Sequence, residues 1–135
     1  MKLSTKSRYG LNALYHLALT KETMTLKELA NVTLVTQPYL EKVLGMLRRG
    51  GFVNTSRGTT GGYVIAKEPK NITIGQVLRV LEKDLVFSDC AKSGKCNNSA
   101  CPNKSIFKII YDSLNDVLDS ITIEDMIKNK GEIYE

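Results

Sequence analysis

The chain has 135 residues, 42% of them hydrophobic, and carries 19 Lys+Arg against 14 Asp+Glu for a net charge of +5. That is enough apolar material for one compact domain, or a small domain with a helical extension, and disorder is not the default reading. No run approaches the roughly 20 apolar residues that span a bilayer, and residues 1–20 lack a secretory leader pattern, so a cytoplasmic protein with no membrane partner is expected.

Charge is uneven along the chain. Residues 1–85 hold 13 Lys+Arg and 6 Asp+Glu, a balance of +7, whereas residues 86–135 hold 6 and 8, a balance of −2. A basic first part suits a polyanionic partner, although a solvated lysine-rich surface gives the same count. The order of elements has to decide.

From Ser4 to about Leu19, the residues Leu11, Leu14, Tyr15, Ala18 and Leu19 recur at helical spacing, with Ser4 or Thr5 as N-cap, which predicts a first helix. Thr25-Leu26-Lys27-Glu28 has the form of a capping box, and Leu26, Leu29 and Ala30 continue it into a short second helix ending near Val32. Thr36-Gln37-Pro38 opens a third helix, with proline tolerated in the first turn. Leu40, Val43, Leu44 and Leu47 mark its buried stripe, and Gly50-Gly51 stops it.

Two β-prone runs, FVNTS and YVIA, flank RGTTGG, whose glycines permit the positive φ angles of a hairpin tip. Thr73-Ile74-Gly75-Gln76 is another capping box, starting a fourth helix on Val77, Leu78, Val80 and Leu81 that closes the first domain near Asp84.

After a polar stretch that holds all three cysteines, Ile106, Phe107, Ile109, Ile110, Leu114, Val117, Leu118 and Ile121 form an apolar stripe over 16 residues. It is wider than one small neighbour covers. A long helix buried against a second copy of the chain explains it, and packing on its own first domain is the other reading. Thr122 to Asp125 offers a capping-box-like start for a last short helix through Lys128, and the tail NKGEIYE reads as frayed.

The expected fold class is mainly α with a small β-hairpin, as a winged helix-turn-helix domain plus a long dimerisation helix. Residues 1–84 form the DNA-binding domain, 85–104 a cysteine-bearing loop, and 105–135 the dimerisation helix and short final helix. Helix, short helix, tight turn, helix and glycine-tipped hairpin is the order that places the helix after the turn in the major groove of double-stranded DNA. Thr36, Gln37, Tyr39, Glu41 and Lys42 lie off the buried stripe and can reach base edges or phosphates, though a solvated helix face would look the same. Arg48, Arg49 and Arg57 suit phosphate, and Arg57 at the hairpin tip could instead enter a narrow minor groove.

Cys90, Cys96 and Cys101 are spaced Cys-x5-Cys-x4-Cys. An odd number cannot be consumed by disulfides within one chain, and clustered thiols in a reducing compartment more often bind metal or do redox work. Structural zinc sites usually pair their cysteines more closely. An iron-sulfur cluster, zinc, and redox-responsive thiols without metal all stay open. One histidine, no nucleophile motif and no phosphate loop leave no basis for an enzyme. The alternative to a DNA-binding regulator is a small metal-carrier or electron-transfer protein without sequence-specific DNA binding.

The start MKLSTKSRYGLNALYHLA, the segment PYLEKVLGMLRRGGFV, the wing SRGTTGGYVIAKEP, NITIGQVLRVLE and SITIEDMI together resemble, nearly end to end, the winged-helix superfamily that contains IscR, NsrR and CymR. The resemblance implies a homodimeric transcription factor with DNA contacts on Thr36, Pro38, Tyr39, Glu41 and Lys42 and, in the wing, on Arg57 with Gly58, Gly61 and Gly62. Glu41 falls where IscR-like members carry a glutamate that separates two classes of DNA site.

In the cluster-binding branch of that superfamily three cysteines lie between the fourth helix and the long helix, the interval that holds Cys90, Cys96 and Cys101. CymR-like members lack them. The implied cofactor is an iron-sulfur cluster, [2Fe-2S] favoured over [4Fe-4S] and zinc last, controlling DNA affinity or site choice in response to cluster supply, oxidative stress or nitric oxide. The fourth ligand departs from the pattern. Lys104 stands where IscR-like sequences have a histidine, and Arg8 where NsrR-like ones have an aspartate in the first helix; Asp89, Asn103 or a group of the second copy are the candidates, and His16 is a packed or surface residue.

Overall fold

The computed structural model describes residues 2–58, 61–82, 85 and 100–129; Asp89, Cys90, Cys96 and the tail beyond residue 129 lie outside them. The first helix, α1, runs Thr5–Thr20 from Ser4, whose hydroxyl accepts from the Ser7 amide. It is the central helix, with α2 (Leu26–Thr33), α3 (Gln37–Arg49), α4 (Ile74–Leu81) and the final helix α6 (Ile123–Asn129) all packed on it. Being wrapped from several sides changes its buried face. Leu17 is fully buried, whereas Leu19, expected in the stripe, is 47% exposed. Small residues mark the close crossings, and a side chain at Gly10 would run into Leu81 and Val43.

Both expected capping boxes form. At α2 the Glu28 amide donates to the Thr25 hydroxyl at 3.1 Å and the Thr25 amide to the Glu28 carboxylate at 3.3 Å. At α4 the Gln76 amide donates to the Thr73 hydroxyl at 3.1 Å, and the Gln76 side-chain oxygen accepts from the Thr73 amide at 3.1 Å. On α3, Leu40, Val43, Leu44 and Leu47 are all fully buried, as their spacing predicts.

Strands β1 (Val53–Ser56) and β2 (Gly62–Ile65) form an antiparallel hairpin with Val53 opposite Ile65 and Ser56 opposite Gly62. Met24, just before α2, adds a rung: its amide donates to the Tyr63 carbonyl at 2.8 Å, and the Tyr63 amide donates back at 2.7 Å. The wing is thereby tied to the α1–α2 connection. A side chain at Gly62 would collide with the Met24 carbonyl, and one at Gly61 with the Ser56 carbonyl, so both positions need glycine for the protein's own backbone.

The long helix α5 spans Asn103–Ser120. Arg79 of α4 donates to Asp119 at 2.6 and 3.0 Å and to Asn115 at 2.8 Å, and Gly75 leaves room for the Asp119 carboxylate. Beyond α5, the Ile74 amide donates to the Ile121 carbonyl at 2.8 Å and the Ile123 amide to the Ile72 carbonyl at 2.9 Å. The Thr122 amide bonds the Asp125 carboxylate at 2.9 Å, and the Asp125 amide the Thr122 hydroxyl at 3.1 Å, which starts α6. Ile123 is fully buried in the same core as Leu14, Leu17 and Ile72. The chain thus returns to the winged head after α5, while α5 itself buries no residue completely.

Candidate nucleic-acid interface and cysteine segment

The connection between α2 and α3 places the proposed reading residues. Thr33 is buried, its hydroxyl donating to the Leu29 carbonyl at 2.6 Å, and Val35 is 6% exposed. Thr36 then caps α3 without a side-chain hydrogen bond, and Pro38 sits in the first turn, where a missing amide costs nothing. Because Leu40, Val43, Leu44 and Leu47 face inward, Thr36, Gln37, Pro38, Glu41 and Lys42 are exposed together; Tyr39 is half-buried. Its ring meets that of Tyr9 edge to face, centroids 5.6 Å apart at 88°, so α1 props the start of α3. No local sequence signal marks Tyr9 for that role.

Arg48 and Arg49 are exposed but lie in the last turn of the 13-residue α3, about 18 Å along the axis from Thr36, where they also oppose the negative end of the helix dipole. Arg57 follows β1 and is exposed, and Gly58 has φ 106° with open space where a side chain would be. Gly58 and Arg57 therefore face solvent, in contrast to Gly61 and Gly62. Tyr63 of β2 links wing and helix electrostatically. Burial, and then the Glu41 carboxylate, push its phenol above the ordinary value, with Arg48 opposing.

Of the three thiols, Cys101 is described: it is free, half-buried and next to the start of α5, with its carbonyl accepting from the Lys104 amide at 3.3 Å. Asn103 is exposed as the first residue of α5, and Lys104 is half-buried. Arg8 is exposed on α1, while His16 is half-buried with its ring edge-on to Tyr15 at 5.2 Å, a packed residue. Among the described residues no group of three His, Cys, Asp or Glu is placed to hold a metal.

The cysteine segment leaves the head from a fastened residue and runs into α5. On one side Glu82, the residue that ends α4, accepts from the Ser4 amide at 2.6 Å and the Ser7 hydroxyl at 2.7 Å. Burial opposes its ionisation, but the bonds from Ser7 and Ser4 outweigh that and hold the carboxyl below its usual value, with Lys6 adding to the effect. On the other side Cys101 leads into α5, which the Arg79 clamp holds at its far end.

Residues 3–129 match Rrf2, described as an iron-dependent transcriptional regulator. The chain is 35% identical over 128 residues to the HTH-type transcriptional regulator CymR of Bacillus subtilis, covering 93% of this chain and 89% of that one. The solved structure of CymR, the global cysteine regulator of B. subtilis, superimposes with a TM-score of 0.81 at 35% identity, over 95% of this chain and 97% of that one. That of IscR from T. potens superimposes with a TM-score of 0.79 at 36% identity, over 100% of this chain and 92% of that one. Among the described residues no helix is long and apolar enough to cross a membrane.

Proposed function

We propose, on the premise that the chain belongs to the Rrf2 family of transcriptional regulators, that it binds double-stranded DNA as a homodimer under the control of an iron-sulfur cluster on Cys90, Cys96 and Cys101. The observation that carries this reading is the pairing of an exposed row on α3 with three thiols between α4 and α5. It is a DNA-binding regulator and not an enzyme. The match to a family of transcriptional regulators speaks against the metal-carrier alternative.

Thr36, Gln37, Pro38, Tyr39, Glu41 and Lys42 enter the major groove, Arg57 and Gly58 approach the backbone or minor groove, and Arg48 and Arg49 neutralise phosphate. Glu41 accepts from a cytosine amino group and repels other edges. The exposed apolar residues of α5 close the dimer. The protein works in the cytoplasm, where its thiols stay reduced.

Three thiolates fit three of the four ligand positions of a [2Fe-2S] cluster, favoured over [4Fe-4S] and zinc, and Asp89, Asn103 or a group of the second copy supplies the fourth. When bound, the cluster supplies an iron centre that reacts with oxygen or nitric oxide. Cluster occupancy would be felt at α3 through Glu82, which grips the start of α1, and Tyr9 of α1, which touches Tyr39. A coupling of about 1 to 3 kcal/mol would change DNA affinity about 5- to 150-fold.

The test is operator binding by anaerobically purified protein and by a variant with Cys90, Cys96 and Cys101 all changed to alanine. A loss or change of site preference in the variant is expected; equal affinity for every site overturns cluster control. The likeness to CymR, a global cysteine regulator, favours a second reading in which a thiol metabolite and not a cluster is sensed. Iron and sulfide analysis with Mössbauer spectra of the same sample decides between the two.

A further inference from the structure

The turn between α2 and α3 carries Leu34, which at 90% exposure is the most exposed large apolar side chain among the described residues. Its φ of 59° lies in the left-handed region, which glycine or asparagine adopts at less cost. Lys21, the other non-glycine residue described there, ends α1 with a side chain that water solvates. Leu34 bears both costs at once, a strained backbone and a solvated apolar surface. Its neighbours leave no choice of direction, since Thr33 and Val35 are buried on either side.

Leu34 stands two residues before Thr36. With Thr5, Tyr9, Thr36 and Tyr39 it rims a depression of about 400 Å³ on the face that carries the α3 contacts. On the DNA-binding reading the partner for that face is a polyanion, in keeping with the balance of +7 over residues 1–85 and with Lys42, further along the same helix, being exposed. Among the groups that duplex DNA offers in its major groove, the apolar one is the C5-methyl of thymine.

We propose that Leu34 is a specificity-determining residue that packs against a thymine methyl at the edge of the half-site when α3 enters the groove. The proposal rests on the DNA-binding reading above. It gives the exposed leucine an apolar surface that no other part of the described chain supplies, and it explains why a polar or glycine residue is absent from a turn that would fold more cheaply with one.

A duplex selected by the wild-type protein from a randomised pool is the probe. Each thymine is replaced in turn by deoxyuridine, which deletes the methyl alone, and binding is read by fluorescence anisotropy. Wild type is expected to lose about 3- to 10-fold at one position, the worth of one buried methyl group. Leu34→Gly should bind the unmodified duplex weaker by a similar factor and be indifferent to that replacement, and Leu34→Asn should repeat the result with another residue suited to the turn. Circular dichroism of both variants shows whether the fold is kept. Variants that bind like wild type, or that keep the deoxyuridine penalty, overturn the proposal while leaving DNA binding intact; so does a loss of self-association with DNA binding unchanged. If the wild type selects no sequence at all, the DNA-binding reading itself fails.

Discussion

On α3, Leu40, Val43, Leu44 and Leu47 are fully buried, whereas on α5 the residues Ile106, Ile109 and Val117 are 54%, 60% and 53% exposed. Both helices carry apolar residues at steps of three and four. The difference is in the neighbours: α3 is enclosed by α1, α2, α4 and β1, while α5 meets the head through a clamp of Arg79 with Asp119 and Asn115. An 18-residue helix rises about 27 Å and the eight-residue α4 about 12 Å, so α4 has length to cover less than half of it. The helical period shows that a face is apolar; the surroundings decide what buries it.

The sharpest way to test that contrast is Ile106→Asp together with Ile109→Asp. If a second copy covers α5, sedimentation should show the dimer dissociation constant raised more than about 100-fold, because each buried isoleucine is worth about 1.5 to 3 kcal/mol, with the melting of the head little changed. Retention of the dimer would break the comparison. Next in size is Ile123→Ala, which should cost about 2 to 4 kcal/mol in urea unfolding, as a core truncation in α3 such as Leu44→Ala would. A cost below about 1 kcal/mol would separate α6 from the head.

Smallest is Glu82→Gln, at about 1 kcal/mol near neutral pH, since a half-buried carboxylate loses part of two hydrogen bonds. Its carboxyl is held below the usual value, so its contribution is complete above the ordinary glutamate pKa of about 4.3 and fades as pH falls through the lower folded value. The difference between variant and wild type in urea midpoint should therefore close on acidification. A gap that stays constant down to acid pH would remove the latch as its cause.

Features encoded within four residues were legible in the chain. Thr25 with Glu28, Thr73 with Gln76 and Thr122 with Asp125 each announced a helix start that forms. The exposed row from Thr36 to Lys42 followed from the stripe beside it. What could not be read depends on partners far along the chain. Glu82 meets Ser4 and Ser7 across 78 and 75 residues, Gly62 makes way for Met24, and Ile123 joins a core built by α1 and α4. Leu19 illustrates the same point from the other side, for its spacing fits the stripe but the packing around α1 selects Leu17. Cys90 and Cys96 fall outside the described residues, so the reading of the thiol segment rests on its spacing and on its place between Glu82 and α5.

The rung between Met24 and Tyr63 has a mechanical consequence. Two hydrogen bonds fasten the hairpin to the connection that leads into α2, and α2 leads directly into α3. The wing is thereby coupled to the segment that carries α3 and is not hung as a free arm. In the DNA-binding reading proposed above, such a head would act as a stamp with two raised features at a fixed separation, and adjustment to a different operator would fall to the DNA.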